Sequence, residues 1–312
     1  MVLLPLTMMN TIGIDQVDAR DRTCCISYPL EDDLLASSIA RFGILVPLGL
    51  INREPPIMVT GFKRFEAAKR LAISKVPYVF LDIDERRALL TSISDNLKRP
   101  LNTIEKACCV EKMDALGFPK EEIYEMARLI GLPAREQTLE SARAMKSMGE
   151  GAKALVARQN LPLPAVDELL LLDTQEVARV VRLVDPFRST TSLLREVLRL
   201  LVLVKTKKGR IDFEELENSK DMEALRQSLK RATHPLLSRM AERLGKIREA
   251  SALPPHIRIQ VDPVFEKESI DIQVRARDEA EVAEALKKLE ALSKKGLFRS
   301  IFDLTHGVPE RN

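Results

Sequence analysis

The chain has 312 residues, 45% of them hydrophobic and only 4% aromatic with no Trp, and carries 49 Lys plus Arg against 46 Asp plus Glu. That length exceeds one ordinary core, so two or three domains are expected, and the abundance of Leu, Ala, Glu, Lys and Arg leans helical. A net charge of +3 is too small to imply nucleic acid by itself, so any basic surface must be local.

The N-terminal MVLLPLTMMN is apolar but brief, broken by Pro5 and without a preceding basic region, which argues against a signal peptide or a membrane span. The cysteines form two adjacent pairs, Cys24-Cys25 and Cys108-Cys109, with none of the spacings of zinc or redox motifs. A soluble protein of the reducing cytoplasm, with no membrane partner, is the expectation.

Asp32 or Asp33 can cap a helix carrying Leu34, Leu35, Ile39 and Phe42, and Gly43 is placed to end it. ILVPLGLIN then reads as a strand, Glu54-Pro55-Pro56 as a turn and PIMVT as the second arm of a hairpin. At Gly61 the chain turns into a helix in which Phe65, Ala68, Leu71 and Ala72 recur at helical spacing. Lys63 and Arg64 fall in its first turn, where cations are unfavourable unless something negative is bound; a phosphate would be stabilised there by free N–H groups and both side chains. An ordinary corner with solvated charges is the competing reading. Lys75 to Ile83 is another strand, and Asp84 caps a helix to about Asn96.

From Pro100 the chain is helical for about a hundred residues by periodicity. Asn102 and Glu105 form a capping box for a helix to about Leu116. A helix over Lys120 to Ile130, the turn Gly131-Leu132-Pro133, and a helix from Pro133 through Met148 have the outline of a helix-turn-helix, an outline that generic helical hairpins share. Helices continue through DELLLLDTQEVARVVRLV and TSLLREVLRLLVLVKTKKGR, the latter ending in a basic run that reads as a solvated helix end and, over Lys205 to Arg210, also as a linker. Asp221 to Ala250 is an amphipathic arm interrupted at Pro235. HIRIQVDP and SIDIQVRA alternate as paired strands, Asp278 caps a helix with Val282, Leu286 and Leu289, and LFRSIFDL adds a strand or short helix. So small a unit needs a partner surface, hence docking or dimerisation.

Three blocks resemble the ParB/sulfiredoxin-like superfamily, most closely its ParB (Spo0J-type) branch. SSIARFGILVPLGLI is similar to the opening block of that family. TGFKRFEAAKRL stands where ParB proteins have a Gly-Glu-Arg-Arg box, and SDNLKRPLNTIEKA where they have Glu-Asn-x-Gln-Arg and a helical segment. The resemblance implies an α+β multidomain protein. Residues 1–100 would be the ParB/sulfiredoxin-like α/β nucleotide-binding domain and 101–205 an all-helical domain with the helix-turn-helix; 206–250 would be a helical linker or arm and 251–312 a small α/β dimerisation domain.

It further implies a site for CTP or another nucleoside triphosphate with Mg²⁺. Gly61, Lys63, Arg64, Asn96 and Arg99 would bind the phosphates, and Asp95 and Asn96 the metal. Arg135, Gln137, Thr138, Arg143 and Lys146 would contact DNA. The partners implied are DNA, a second copy of the chain and a partner ATPase, in a cytoplasmic, nucleoid-associated setting. Phe62, Lys63, Val46 and Lys98 depart from the Glu, Arg, Gln and Gln of the family blocks, which bears on hydrolysis more than on binding and allows at most a weak CTPase. The alternatives are a ParB-derived scaffold without nucleotide chemistry and a kinase-like small-molecule phosphotransferase. The second would need a box Cys or His, whereas His234, His256 and His306 all lie in the C-terminal third.

Overall fold

The computed structural model describes residues 10–262, 267 and 269–305. Most of MVLLPLTMMN, together with His306, lies outside them. By compactness the chain divides into one unit through residue 202 and another from residue 203. The expected division at 100/101 falls inside the first and that at 250/251 inside the second.

The first unit opens with a sheet of strands β1 (Thr11–Gly13), β2 (Leu48–Ile51), β3 (Ile57–Thr60) and β4 (Lys75–Phe80), in the order β1-β4-β2-β3. β2 and β3 are the antiparallel hairpin, with a bulge between Gly49 and Leu50, while β2 and β4 run parallel. A parallel pair requires a crossover, which the helix between β3 and β4 supplies. β1 is antiparallel to β4 and was not foreseen, because TIG is too short to carry a period.

Helices α1 (Asp33–Phe42), α2 (Phe62–Arg70) and α3 (Glu85–Asn96) accompany the sheet, each entered as its residues dictate. The Asp32 carboxylate accepts from the N–H of Leu35, Asp84 accepts from that of Arg87, and Gly61 opens α2 in the left-handed region. Their apolar faces fill one core in which Leu48, Leu50, Met58, Phe65, Val76 and Ala88 are buried. Each large side chain there contributes about 1.5–3 kcal/mol.

Helix α4 (Thr103–Ala115) begins with the full Asn102–Glu105 capping box. Helices α5 (Lys120–Leu129) and α6 (Glu136–Lys146) both pack on it. The second starts three residues later than Pro133 suggests. The N–H of Leu132 bonds back to the carbonyl of Ala127, drawing Leu132 inward, and extended Arg135 is then needed before Leu139, Ala142 and Met145 can be buried. Helices α7 (Glu150–Gln159), α8 (Leu163–Leu170) and α9 (Thr174–Val184) follow, and α10 (Thr191–Lys208) passes through the division between units.

The second unit contains α11 (Phe213–Glu217), α12 (Met222–Thr233) and α13 (Pro235–Ser251), so Pro235 separates two helices as its missing N–H requires. Strands β5 (Ile257–Val261) and β6 (Ile270–Val274) pair antiparallel. α14 (Glu279–Lys294) is capped by Asp278, and LFRSIFDL is helical as α15 (Leu297–Thr305). No described helix is long and apolar enough to cross a membrane.

Candidate nucleotide site and nucleic-acid interface

Gly61 sits at φ +96° and ψ +18°. A Cβ there would lie 2.5 Å from Leu48 Cδ2 and 3.2 Å from Arg64 Nη2, so the turn is open to glycine alone. It leaves the first N–H groups of α2 without partners inside the helix. Lys63 Nζ lies 3.3 Å from Asp32 Oδ2, which ties the start of α2 to the cap of α1. The bond from the Leu35 N–H, and then Lys63, hold the Asp32 carboxyl below the usual carboxylate range. Phe62, the position of the family's Glu, is turned into the core, and the Arg22 guanidinium stands 5.9 Å from the centre of its ring.

Arg64 points the other way. Its Nη1 donates to the carbonyls of Val46 and Pro47 at 2.6 and 3.1 Å, and its Nη2 lies 3.9 Å from Asp95 Oδ2. Burial lowers its pKa and Asp95 partly offsets this. Much of Arg64 is therefore spent on fixing the loop before β2. The other oxygen of Asp95 accepts from Lys98 Nζ at 2.6 Å, so one carboxylate at the end of α3 bridges the α2 guanidinium and an exposed ammonium.

Asn96 and Arg99 are occupied internally. Asn96 Oδ1 accepts from Arg99 Nη2 at 2.9 Å and from the Ser27 hydroxyl at 3.1 Å, while its Nδ2 donates to the carbonyl of Ser92. Arg99 forms a two-pronged pair with Glu105 at 2.7 and 2.6 Å and also donates to the carbonyl of Pro100. Glu105, with its side chain only 1% exposed, accepts further from the N–H groups of Tyr28 and Asn102. Drawing Arg99 away would strand a buried carboxylate at about 3–5 kcal/mol, against about 1.5–3 kcal/mol for a new charge-assisted bond to phosphate. Arg99 thus stays with Glu105 and frames the site.

The expected Mg²⁺ ligands fit poorly for the same reason. Asn96 Oδ1 has used both lone pairs, and each Asp95 oxygen faces a cation, Lys98 at 2.6 Å and Arg64 at 3.9 Å, which a divalent ion would have to compete with. Among the described residues no group of three or more His, Cys, Asp or Glu could hold a metal ion.

Sequence reasoning assigned Asp32 and Glu105 to caps only and Lys98 to a departure from the blocks. The partner of Asp32 is 31 residues away and carries no local signal, whereas Lys98 pairs with Asp95 at the i,i+3 spacing of a helix surface and Arg99 lies six residues before Glu105. A separate cleft of about 670 Å³ is lined in part by Tyr28, Lys69, Cys108, Lys112 and Lys153. Of the predicted site residues only Lys146 borders it. Burial raises all four thiols, Cys24 and Cys108 to about 11.

In the helical hairpin read as a helix-turn-helix, Arg135 and Gln137 are exposed at the start of α6. Thr138 is 2% exposed with its hydroxyl unpaired, so it is not at the surface where a DNA contact requires it. Arg143 forks onto Asp114 at 2.7 and 2.9 Å, and Lys146 reaches Glu111 at 2.6 Å. Glu136, the acidic residue at the head of α6, accepts from Lys120 and from the Tyr124 hydroxyl, bonds that depress its pKa.

No family model matches the chain. It is 28% identical over 251 residues to a probable plasmid-partitioning protein ParB of Thermus thermophilus, covering 75% of this chain and 80% of that one. It is 30% identical over 145 residues to the chromosome-partitioning protein Spo0J of the same organism, covering 46% and 52%. A nucleoid occlusion protein of Listeria monocytogenes is 24% identical over 195 residues, covering 56% and 63%. Against the last two, the chain spans less than two thirds of the relative's length. A crystal structure of C-terminally truncated ParB from Caulobacter crescentus complexed with CTP-gamma-S is 20% identical with a TM-score of 0.24, covering 55% of this chain and 96% of that one.

Proposed function

We propose that the chain is a divergent ParB-like protein, a reading its likeness to the partitioning proteins supports, and that it is a DNA-binding partition or regulatory protein whose first unit takes a nucleoside triphosphate of the CTP type as a switch. One observation carries the nucleotide reading: the glycine-opened start of α2 is joined through Arg64 and Asp95 to Lys98 at the end of α3. Gly61 with the free N–H groups and Lys63 would receive phosphate, and Arg64 would hold the Val46-Pro47 loop beside it. Asn96 and Arg99 would keep the end of α3 in place. With Phe62 buried where the family has a carboxylate, binding is expected to outlast hydrolysis.

DNA would meet the first turn of α6, where Arg135 and Gln137 can reach base edges, while Arg143 and Lys146, paired with Asp114 and Glu111, would add little net charge. Pairing of Glu136 with Lys120 and Tyr124 supports this by removing an unpartnered negative charge from that surface. Dimerisation through residues 251–312, a cytoplasmic, nucleoid-associated location and a partner ATPase complete the proposal. The internal pairing of Asn96 and Arg99 favours a second reading, a scaffold that has lost nucleotide chemistry. Calorimetric titration of the full chain with each ribonucleoside triphosphate decides between them: heat with one or more supports the switch, and none with any leaves the scaffold.

A further inference from the structure

We infer that the nucleotide site is a metal-independent anion site in which the Lys98 ammonium takes the place of a divalent cation. This rests on the nucleotide reading above and departs from the Mg²⁺ that the family resemblance implies. A hard cation needs oxygens with free lone pairs arranged around it in near-octahedral geometry. Here Asn96 Oδ1 accepts from Arg99 and Ser27, and its amide cannot turn over without losing the bond to the carbonyl of Ser92. Asp95 faces Lys98 at 2.6 Å with one oxygen and Arg64 at 3.9 Å with the other, so its remaining lone pairs lie beside two cations and a divalent ion there would have to displace Lys98. Asp32 is taken by the N–H of Leu35 and by Lys63.

Positive charge is already in position. The Lys98 side chain is 71% exposed and anchored by one bond to Asp95, so its other N–H donors face outward. Lys63, the free N–H groups of α2 and the buried Arg64 supply the rest. With Arg99 held by Glu105 and Lys63 by Asp32, Arg64 and Lys98 share the one carboxylate of Asp95 and leave a positive charge in excess, suited to the metal-free triphosphate, which is more highly charged than its Mg²⁺ complex.

The test is calorimetric titration of the full chain with each ribonucleoside triphosphate, once in excess Mg²⁺ and once in EDTA, for the native protein and for Lys98→Gln. Lys98 is at the surface, so the variant should fold, which circular dichroism verifies. The expected result is a native dissociation constant in EDTA equal to or below that in Mg²⁺. In Lys98→Gln, metal-free binding weakens about tenfold or more, the loss of one charge-assisted bond. Mg²⁺ then restores part of it, because Asp95 is released to hold the ion. Native binding at least tenfold weaker in EDTA would overturn the inference while leaving the nucleotide reading intact. So would metal-free binding that is unchanged by Lys98→Gln. An absence of heat under both conditions would overturn both, and is distinguishable from the other outcomes.

Discussion

Gly61 and Arg99 show how single residues near the site divide between shaping it and serving it. Gly61→Ala would place a methyl 2.5 Å from Leu48 in a backbone region that favours glycine, and the expected cost is about 1–3 kcal/mol by urea unfolding. Arg99→Ala is expected to cost more, about 3–5 kcal/mol, since it leaves the Glu105 carboxylate buried without its cation. A loss below about 1 kcal/mol, the range of exposed ion pairs, would mean that water reaches Glu105. Weakened triphosphate binding in Arg99→Ala is therefore interpretable only beside its unfolding curve, whereas the exposed Lys98 carries no such complication.

Helix ends set the behaviour of whole elements. Asp32 caps α1 and faces Lys63, and its folded pKa lies below the ordinary carboxylate value of about 3.9. A depressed carboxyl contributes stability above that ordinary value and loses it as pH falls through it towards the folded one. Thermal unfolding between about pH 3 and 7 should accordingly show an acid-side loss that Asp32→Asn flattens. Asn remains a good cap, while Asp32→Ala should cost about 1 kcal/mol at neutral pH. For α6, Arg135 is the exposed cation at the helix start and Thr138 is buried beneath it. Selection of random duplexes across a salt series is expected to give affinity that falls steeply with salt, with Arg135→Ala reducing the slope by about one phosphate contact. Retention of both affinity and slope in Arg135→Ala would place any DNA contact elsewhere.

At the scale of the whole molecule, the described residues of the second unit leave several large apolar side chains exposed. On α14, Leu286 is 61% and Val282 42% exposed, and Ile272 and Val274 on β6 are exposed as well. A second copy covering them is the expected arrangement. Leu286→Asp should turn a dimer into a monomer by light scattering without altering the helical content. A variant that remains dimeric would move the interface to another surface.

Most of the order of helices and strands from residue 32 onward was legible because its signals are local, although α7 and α11 were not picked out and α15 was left between strand and helix. Asp32, Asp84, Asn102 and Asp278 cap helices where their spacing says they must, Pro235 separates two helices, and Gly61 marks the turn that the site is built on. β1 escaped notice because three residues become a strand only when β4 lies beside them, and the start of α6 shifted because burial of Leu132 and Leu139 outweighs the preference of Pro133 for a first turn. The sequence also determined which charged residues belong to the family blocks. Which of those charges remain available was decided partly by neighbours, since Lys98 takes Asp95 and Arg99 takes Asn96 three residues away, and partly by tertiary structure, which brings Ser27 to Asn96 and Arg64 to Asp95. Caps and turns depend on neighbours within a few residues, whereas the pairing of a buried charge depends on whatever side chain the fold brings within about 3 Å of it.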